Sequence, residues 1–272
     1  MGIIKQTRDG VVYYASEAFA AAGGVVHGFA TKLGGVSTGD CATMNLGIKR
    51  DDRRENVREN YARFCRAIGG RADRLVMTHQ VHSDDVRTAS RSDILPDLLD
   101  PIPYETDGLV TNEPGLCLVI YYADCIPVFL YDPKKRAIGA VHSGWRGTAM
   151  GIAPKALEKM VRLYGTDPAD VLAAIGPGIG PCCFETHNDV PDAMAARLGP
   201  GVAPFCVPNG AGKFHVDLKG IIRWELEGAG VAPGHIETLD VCTGCSPALF
   251  WSHRKVGDRR GNHGGMIQLA EA

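Results

Sequence analysis

Two apolar runs decide the fold of this chain: LCLVIYYADCIPVFLYD (residues 116–132) and AIGAVHSGWRG (residues 137–147). Runs this apolar, interrupted by Asp-Pro and by glycine, predict buried β-strands. Cys125 and His142 lie where these strands give way to turns, and core packing requires neither a thiol nor an imidazole there. Together they are able to bind a soft metal ion, or to act as a nucleophile and its base.

The remaining sequence alternates between helix and strand patterns. Apolar residues at helical spacing predict four helices, which end near Gly69, Gly165, Leu198 and Gly228. In the second of these, Val161 is expected on the core face. Strands are predicted at 25–30, 75–78, 81–88, 109–111, 116–122, 128–131, 137–142, 171–175, 214–216 and 265–269. Many strands with interspersed helices indicate a layered α/β fold of the α+β type.

Bulk properties favour an ordinary globular protein. The 272 residues contain no visible linker or repeat, so we expect a single domain over 1–272. The net charge of −2 gives no reason to expect nucleic acid or an acidic membrane as a partner. Neither a signal peptide nor a membrane span is expected from the apolar pattern. An odd number of cysteines, nine, favours reduced thiols and a cytoplasmic location.

A third candidate ligand lies in THQVHS (residues 78–83). Catalytic zinc usually takes three protein ligands and keeps one position open. If this segment is a strand, His79 and His82 point to opposite faces, so only one of them is able to join Cys125 and His142. The same rule points Asp124 away from a metal at Cys125. The alternative is a buried cysteine with two hydrogen-bonded histidines.

Nine short motifs occur in order along the chain and carry a family resemblance. They are HGFATKLGGVS (27–37), NLG (45–47), QVH (80–82), ADCIPV (123–128), HSGWRG (142–147), GPGIGPCCFE (176–185), CTGC (242–245), FWSHR (250–254) and RG (260–261). The chain resembles the YfiH family of purine nucleoside phosphorylases, whose module is also called the laccase domain or multicopper polyphenol oxidase domain. The resemblance covers nearly the whole chain.

The resemblance implies a metal site, a fold and an activity. The zinc ligands of the family correspond here to His82, Cys125 and His142, so His82 is selected over His79. The implied fold is an α-β-β-α sandwich with mixed sheets. The implied substrates are purine nucleosides and phosphate, with phosphorolysis of adenosine, inosine, guanosine and methylthioadenosine. Adenosine deamination is implied as well, and zinc favours it by lowering the pKa of a bound water to about 7.

Four further residues are candidates for substrate contacts. Arg146 follows Gly144 in a turn that leads into a helix, where backbone amides favour an anion, and Lys32 is the second choice for this role. Glu185 is a candidate acid or base, and Asn45 a candidate hydrogen-bond partner of the substrate. The alternatives are surface cations over glycine-rich turns, a structural carboxylate and a turn-capping amide.

Three rival functions stay open at this point. Two histidines and one cysteine also match a blue-copper centre, so copper is able to replace zinc in vitro, but the sequence has no His-x-His pair of the kind that multicopper oxidases use. Cys125 and His142 would also suit a metal-free hydrolase. A role as a peptidoglycan-editing factor is the third rival. We interpret the remaining CTGC and Cys182-Cys183 motifs as reduced, buried thiols.

Overall fold

Fifteen strands form the framework of the computed structural model, which describes residues 1–271. They are β1 (Ile3–Arg8), β2 (Val11–Ser16), β3 (Val25–Ala30), β4 (Leu75–Met77), β5 (Val86–Thr88), β6 (Gly108–Thr111), β7 (Cys117–Tyr122), β8 (Ile126–Asp132), β9 (Ala137–Ser143), β10 (Leu172–Ile175), β11 (Glu185–His187), β12 (Cys206–Pro208), β13 (Lys213–Val216), β14 (Ile236–Thr238) and β15 (His263–Leu269). The apolar runs at residues 116–132 and 137–147 form β7, β8 and β9, as predicted.

Seven α-helices connect or cover these strands within the described residues. They are α1 (Glu17–Ala22), α2 (Arg54–Ile68), α3 (Trp145–Ala149), α4 (Ile152–Tyr164), α5 (Asp189–Leu198), α6 (Leu218–Gly228) and α7 (His253–Val256). The four predicted helices correspond to α2, α4, α5 and α6. None of the helices in residues 1–271 has the length and apolar character that crossing a membrane requires.

The strands form two six-stranded mixed sheets and one small antiparallel sheet. The first sheet has the order β1-β2-β3-β15-β7-β4, in which only the β4–β7 pair is parallel. The second has the order β14-β10-β8-β9-β6-β5, with parallel pairs at β10–β14 and β5–β6. The third sheet contains β11, β13 and β12.

The two large sheets pack face to face, and helices cover their outer faces. Between them Phe29 of β3 stacks on Phe129 of β8 with ring centroids 4.3 Å apart, and both rings are fully buried. Tyr61 of α2 packs with the outer face of the first sheet. Met160 of α4 and Ile221 of α6 pack against the second sheet. These layers confirm the α-β-β-α sandwich that the family resemblance implied.

Two segments cross from one sheet to the other, and their position matters for the site. Residues 123–125 connect β7 of the first sheet to β8 of the second. Residues 78–85 connect β4 of the first sheet to β5 of the second. Side chains in these crossovers and at the end of β9 therefore meet at one edge of the sandwich.

Two details of the sequence prediction are wrong. The predicted strand over 81–88 is present only as β5, because the backbone amides of Val81, His82 and Ser83 donate to a carboxylate and not to a neighbouring strand. The strand rule that separated His79 from His82 therefore does not apply to this segment. Val161 is 38% exposed, so it lies outside the core face of α4.

Candidate metal and substrate site

Three candidate ligands converge where the two sheets meet. The ligand atoms of His82, Cys125 and His142, hereafter the candidate triad, all lie within 4.8 Å of one another. The Sγ of Cys125 is 3.9 Å from the Nε2 of His82, and the two imidazole centroids are 5.0 Å apart. His142 is buried, Cys125 is half-buried and His82 is exposed, so the group opens to solvent on one side. His79 does not belong to this group.

Asp107 is the residue that organises two of the three segments. Its carboxylate accepts the backbone N–H groups of Val81, His82 and Ser83 at 2.9–3.1 Å. The same carboxylate lies 2.8 Å from the Nδ1 of His142. Asp107 has no exposed surface, yet these donors outweigh its desolvation and lower the pKa of its carboxyl. One buried carboxylate thus places both histidines of the triad.

The contact with Asp107 sets the tautomer of His142. Because Asp107 is ionised, the Nδ1 of His142 donates to it, which leaves the Nε2 lone pair available for a metal. Burial raises the pKa of Cys125, but the two histidines outweigh burial and bring that pKa below its ordinary value. Burial also lowers the pKa of His142, whereas Cys125 and Asp107 raise it overall. The thiol is therefore prepared to act as a thiolate.

The turn that carries Cys125 is fixed by its neighbour Asp124. Asp124 adopts a φ of 98°, which is unfavourable for a residue with a side chain. Its carboxylate accepts from Thr243 Oγ1 at 2.6 Å, from Ser252 Oγ at 3.0 Å and from the backbone N–H of Arg254 at 2.7 Å. As expected from sequence, this carboxylate points away from the triad, and its hydrogen bonds hold the strained turn in place.

Gly144 lies where β9 ends against the triad, with little room for a side chain. A Cβ atom at this position would lie 3.0 Å from Cys125 Sγ and 3.1 Å from His82 Cδ2. Such contacts are closer than side-chain carbon atoms normally tolerate. The glycine of the HSGWRG motif therefore allows the end of β9 to approach the two other ligands.

A cavity of about 500 Å³ opens in front of the triad. This volume lies within the range of sites that bind small molecules, about 300–1,000 Å³. Aromatic and aliphatic side chains line the cavity together with cationic ones. The apolar lining includes Ile102, Tyr121, Trp145, Ile179 and Phe184, and the cations are Lys49, Arg50, Arg254 and Arg260.

Arg260 is the most unusual of these cations. Its residue is only 8% exposed, and desolvation lowers its pKa to about 10. Its Nη1 donates to the carbonyl of Gly261 and to Asn262, whereas its Nε has no partner. In residues 1–271 no carboxylate oxygen lies within 4 Å of its guanidinium nitrogens. A buried arginine with unused donors at a cavity is suited to binding an anion.

Comparison with known proteins identifies the family. The family model described as multi-copper polyphenol oxidoreductase laccase matches residues 26–270. The chain belongs to this laccase family. This result confirms the resemblance that the nine motifs carried.

Members of the laccase family with curated names are similar over most of their length. A purine nucleoside phosphorylase of Deinococcus radiodurans is 39% identical over 245 residues, which cover 90% of this chain and 89% of that protein. The purine nucleoside phosphorylase YlmD of Geobacillus stearothermophilus is 36% identical over 251 residues, with the same coverage of both chains. The relatives thus share the name of one enzyme.

Solved structures agree with this assignment. The crystal structure of the Bacillus licheniformis hypothetical protein YfiH has a TM-score of 0.89 and 30% identity, covering 97% of this chain and 98% of that one. The crystal structure of YlmD from Geobacillus stearothermophilus has a TM-score of 0.87 and 32% identity, with both chains fully covered. The laccase-family fold of this chain is therefore shown by sequence and by structure.

The four residues predicted to contact substrate lie around the cavity and do not line it. Arg146 is exposed on α3 and stacks over the Trp145 ring at 4.4 Å. Lys32 is half-buried, and its backbone carbonyl accepts from Thr43 and Met44. The roles of Arg146 and Lys32 in anion binding stay predictions.

Asn45 and Glu185 are both engaged in contacts within the protein. The Oδ1 of Asn45 accepts from the backbone N–H groups of Gly47 and Asn262, two residues that line the cavity. The Oε1 of Glu185 pairs with Lys213 Nζ at 2.6 Å. Asn45 thus joins two cavity-lining segments, and any role of either side chain towards substrate stays a prediction.

Sequence reasoning missed Asp107 and the cavity cations. Asp107 is a single carboxylate between Thr106 and Gly108, and no spacing rule connects it with the QVH or HSGWRG motifs. Arg254 and Arg260 occur within motifs that carried the family resemblance. The sequence signal for these two arginines was their place in those motifs. It did not show that they face the same cavity as the triad.

Proposed function

We propose that this chain is a zinc-dependent purine nucleoside phosphorylase that also deaminates adenosine. The observation that carries the proposal is a Cys/His/His group opening into a cavity that is lined by apolar side chains and by a buried arginine whose Nε has no partner. The names of the relatives from Geobacillus stearothermophilus and Deinococcus radiodurans supply the reaction class. We place the enzyme in the cytoplasm, because its cysteines are free thiols.

The residues of the triad fit zinc. One thiolate and two imidazoles are three protein ligands, the number that leaves a position open for catalysis. His142 has the second partner that zinc-binding histidines usually have, here the carboxylate of Asp107. A zinc ion held by His82, Cys125 and His142 would supply Lewis acidity to a polar atom placed in the cavity.

Copper chemistry of the multicopper type has less support. Among residues 1–271 the triad is the only group of three or more potential ligands that contains histidine. A multicopper oxidase needs a further cluster of histidines. Cu²⁺ binds more strongly than Zn²⁺ to such ligands in any protein, so copper binding in vitro would not identify the native metal. Zinc is therefore the metal that we propose for the native enzyme.

The lining of the cavity contains groups that suit both substrates. Arg254 and Arg260 provide planar, multidentate donors for phosphate, with Lys49 as a further cation. Trp145 and Phe184 provide apolar surface for a purine. In phosphorolysis a phosphate oxygen bonds to C1′ of the ribose while the bond from C1′ to the purine nitrogen breaks, and that nitrogen gains a proton. The arginines hold the phosphate beside the sugar and balance its charge.

The proposal is tested with a panel of adenosine, inosine, guanosine and methylthioadenosine, each with and without phosphate. With inosine and phosphate we expect hypoxanthine and ribose 1-phosphate, identified by chromatography. His82→Ala, Cys125→Ala and His142→Ala should each abolish this reaction, whereas Cys206→Ser, remote from the triad, should retain it. Full turnover in all three triad variants would overturn the proposal.

Two further measurements separate the rivals. Metal analysis of protein purified without added copper should give zinc, and stoichiometric copper with an intense blue colour would favour an oxidase. A metal-free hydrolase that uses Cys125 as its nucleophile is compatible with the lowered pKa of this thiol. Activity that survives removal of zinc by a chelator but is lost in Cys125→Ser would favour that hydrolase over the phosphorylase.

A further inference from the structure

Four cysteines converge outside the candidate triad. Cys182 and Cys183 lie in the loop between β10 and β11, and Cys242 and Cys245 follow β14. The four Sγ atoms, hereafter the thiol cluster, all lie within 4.8 Å of one another. The sequence interpretation of these residues as buried is wrong, since two are exposed and two are half-buried. They are free thiols, and the fold unites two motifs that lie about sixty residues apart.

The spacing of the thiol cluster suits one tetrahedral ion. A zinc–sulfur bond of about 2.3 Å places the sulfur atoms of a tetrahedral site about 3.8 Å apart. The Sγ of Cys245 lies 3.5 Å from that of Cys182 and 3.4 Å from that of Cys183. Because Cys245 is equally close to both, no single disulfide partner is favoured. Four convergent sulfurs are instead the donor set of structural zinc sites.

Backbone and side-chain donors lie beside the thiol cluster. The backbone N–H of Gly180 donates to Cys242 Sγ at 3.2 Å. Lys219 is buried, and its ammonium donates to the carbonyls of Leu239 and Val241, just before Cys242. A fixed cation thus lies beside the segment that presents the sulfurs.

The thiol cluster is connected to the turn that carries Cys125. Gly178 forms a bridge with Cys242, and its carbonyl accepts from the backbone N–H of Thr243. Thr243 Oγ1 donates to the Asp124 carboxylate, and the N–H of Ile179 donates to the Asp124 carbonyl. Both segments that supply the thiols therefore also hold the residue that precedes Cys125.

We infer that Cys182, Cys183, Cys242 and Cys245 bind a structural zinc ion, separate from the ion proposed at the triad. This ion ties the loop after β10 to the loop after β14 and so braces the turn at Asp124. The four thiolates leave no open position for substrate. The inference goes beyond the proposed nucleoside chemistry and does not depend on it.

Metal stoichiometry tests the inference directly. Protein purified with zinc and freed of loose metal by gel filtration should contain two equivalents, measured by mass spectrometry of the elements. Cys182→Ser/Cys245→Ser protein should contain one, and so should His82→Ala protein. Cys206→Ser, which replaces a cysteine outside both groups, should keep two. An unchanged zinc content in the double variant would overturn the inference, whereas loss of zinc only in His82→Ala would leave the triad assignment intact.

Spectroscopy of protein with an intact thiol cluster covers the case in which the double variant does not fold. Cobalt added to metal-free His82→Ala protein should give intense thiolate-to-cobalt charge-transfer absorption and the visible bands of a tetrahedral ion. The four cysteines should then be protected from alkylation, as read by peptide mass spectrometry. Absence of these bands would overturn the inference. Equally, a mass two hydrogens lower, which indicates a disulfide within the cluster, or stoichiometric iron and sulfide would overturn it.

Discussion

Asp107 shows how one side chain prepares a candidate metal site. A buried carboxylate is unfavourable unless donors compensate for its lost hydration. Here the donors are the backbone N–H groups of residues 81–83, the hydroxyl of Ser83 and the imidazole of His142. The same contacts fix the φ of 62° at His82, which an isolated chain would disfavour. The hydrogen bonds that offset the cost of burying this charge therefore also order two of the candidate ligands.

Asp107→Asn should therefore weaken metal binding at the triad. The amide no longer fixes the His142 tautomer with a charge, and loss of such partners lowers metal affinity by about 10- to 100-fold. The measurement is competition for zinc with a chromophoric chelator. Asp84→Asn, which removes a nearby carboxylate paired with Lys155, is the matched control and should leave the affinity unchanged. Equal affinity in the wild type and Asp107→Asn would contradict the role assigned to Asp107.

Cys125 should be unusually reactive when the protein is free of metal. Its pKa lies below the ordinary thiol value, so thiolate is present at neutral pH and disappears as the pH falls through the lowered pKa. Iodoacetamide should label Cys125 faster than Cys182, whose pKa is raised although it is exposed. Peptide mass spectrometry gives both rates. Zinc should protect Cys125, and labelling no faster than at Cys182 would contradict the lowered pKa.

At the scale of elements, α6 contains a buried acid whose titration is measurable. Glu225 is 9% exposed, its Oε2 has no partner among the described residues, and burial raises its pKa from 4.5 to about 8. Between these values the native state holds a proton that the unfolded state has lost, so stability falls as the pH rises through this window. The effect amounts to several kcal/mol at most, at about 1.4 kcal/mol per pKa unit.

Glu225→Gln should remove the fall in the free energy of unfolding that occurs as the pH rises from 4.5 to about 8. Urea denaturation at several pH values between 4.5 and 8 should give a flatter profile for the variant and a higher midpoint at the alkaline end. Glu227→Gln, on the same helix, removes only an ion pair with Arg223 at the surface and should keep the wild-type profile. Parallel profiles for the wild type and Glu225→Gln would show that Glu225 does not carry the pH dependence.

The elements differ in how far sequence determines them. Strands β7, β8 and β9 were predictable because uninterrupted apolar runs are buried on both faces. Strand β1 was missed, since Lys5, Gln6 and Arg8 on this edge strand weaken the apolar pattern. Residues 81–88 were predicted as one strand, but only β5 forms, because the distant Asp107 accepts the backbone amides of residues 81–83.

The same distinction applies to the candidate site. The motifs brought His82, Cys125 and His142 together through the family resemblance, and the structure places these three side chains in one group. The roles of Asp107 and Arg260 depend on their burial and on contacts made in the folded chain. Neither property has a local signature in the sequence. Residues of this kind become visible only when the fold is known.

At the scale of the whole molecule, the triad lies where the chain passes between the sheets. Cys125 is in the β7–β8 crossover, His82 in the segment from β4 to β5, and His142 at the end of β9, opposite Pro127. The stacked Phe29 and Phe129 rings hold the same two sheets together in the core. A metal bound at the triad would therefore link both sheets at their edge.

Zinc should consequently stabilise the whole sandwich and not only the site. A ligand that binds only the native state at 1,000 times its Kd adds about 4 kcal/mol. For a chain of this size such a gain raises the Tm by several degrees. The measurement is calorimetry of metal-free protein with and without zinc, compared with Cys125→Ala, in which the part of the gain due to the triad should be lost. An equal rise in Tm for the wild type and Cys125→Ala would show that the triad does not couple the two sheets, because the gain would then come from zinc bound elsewhere.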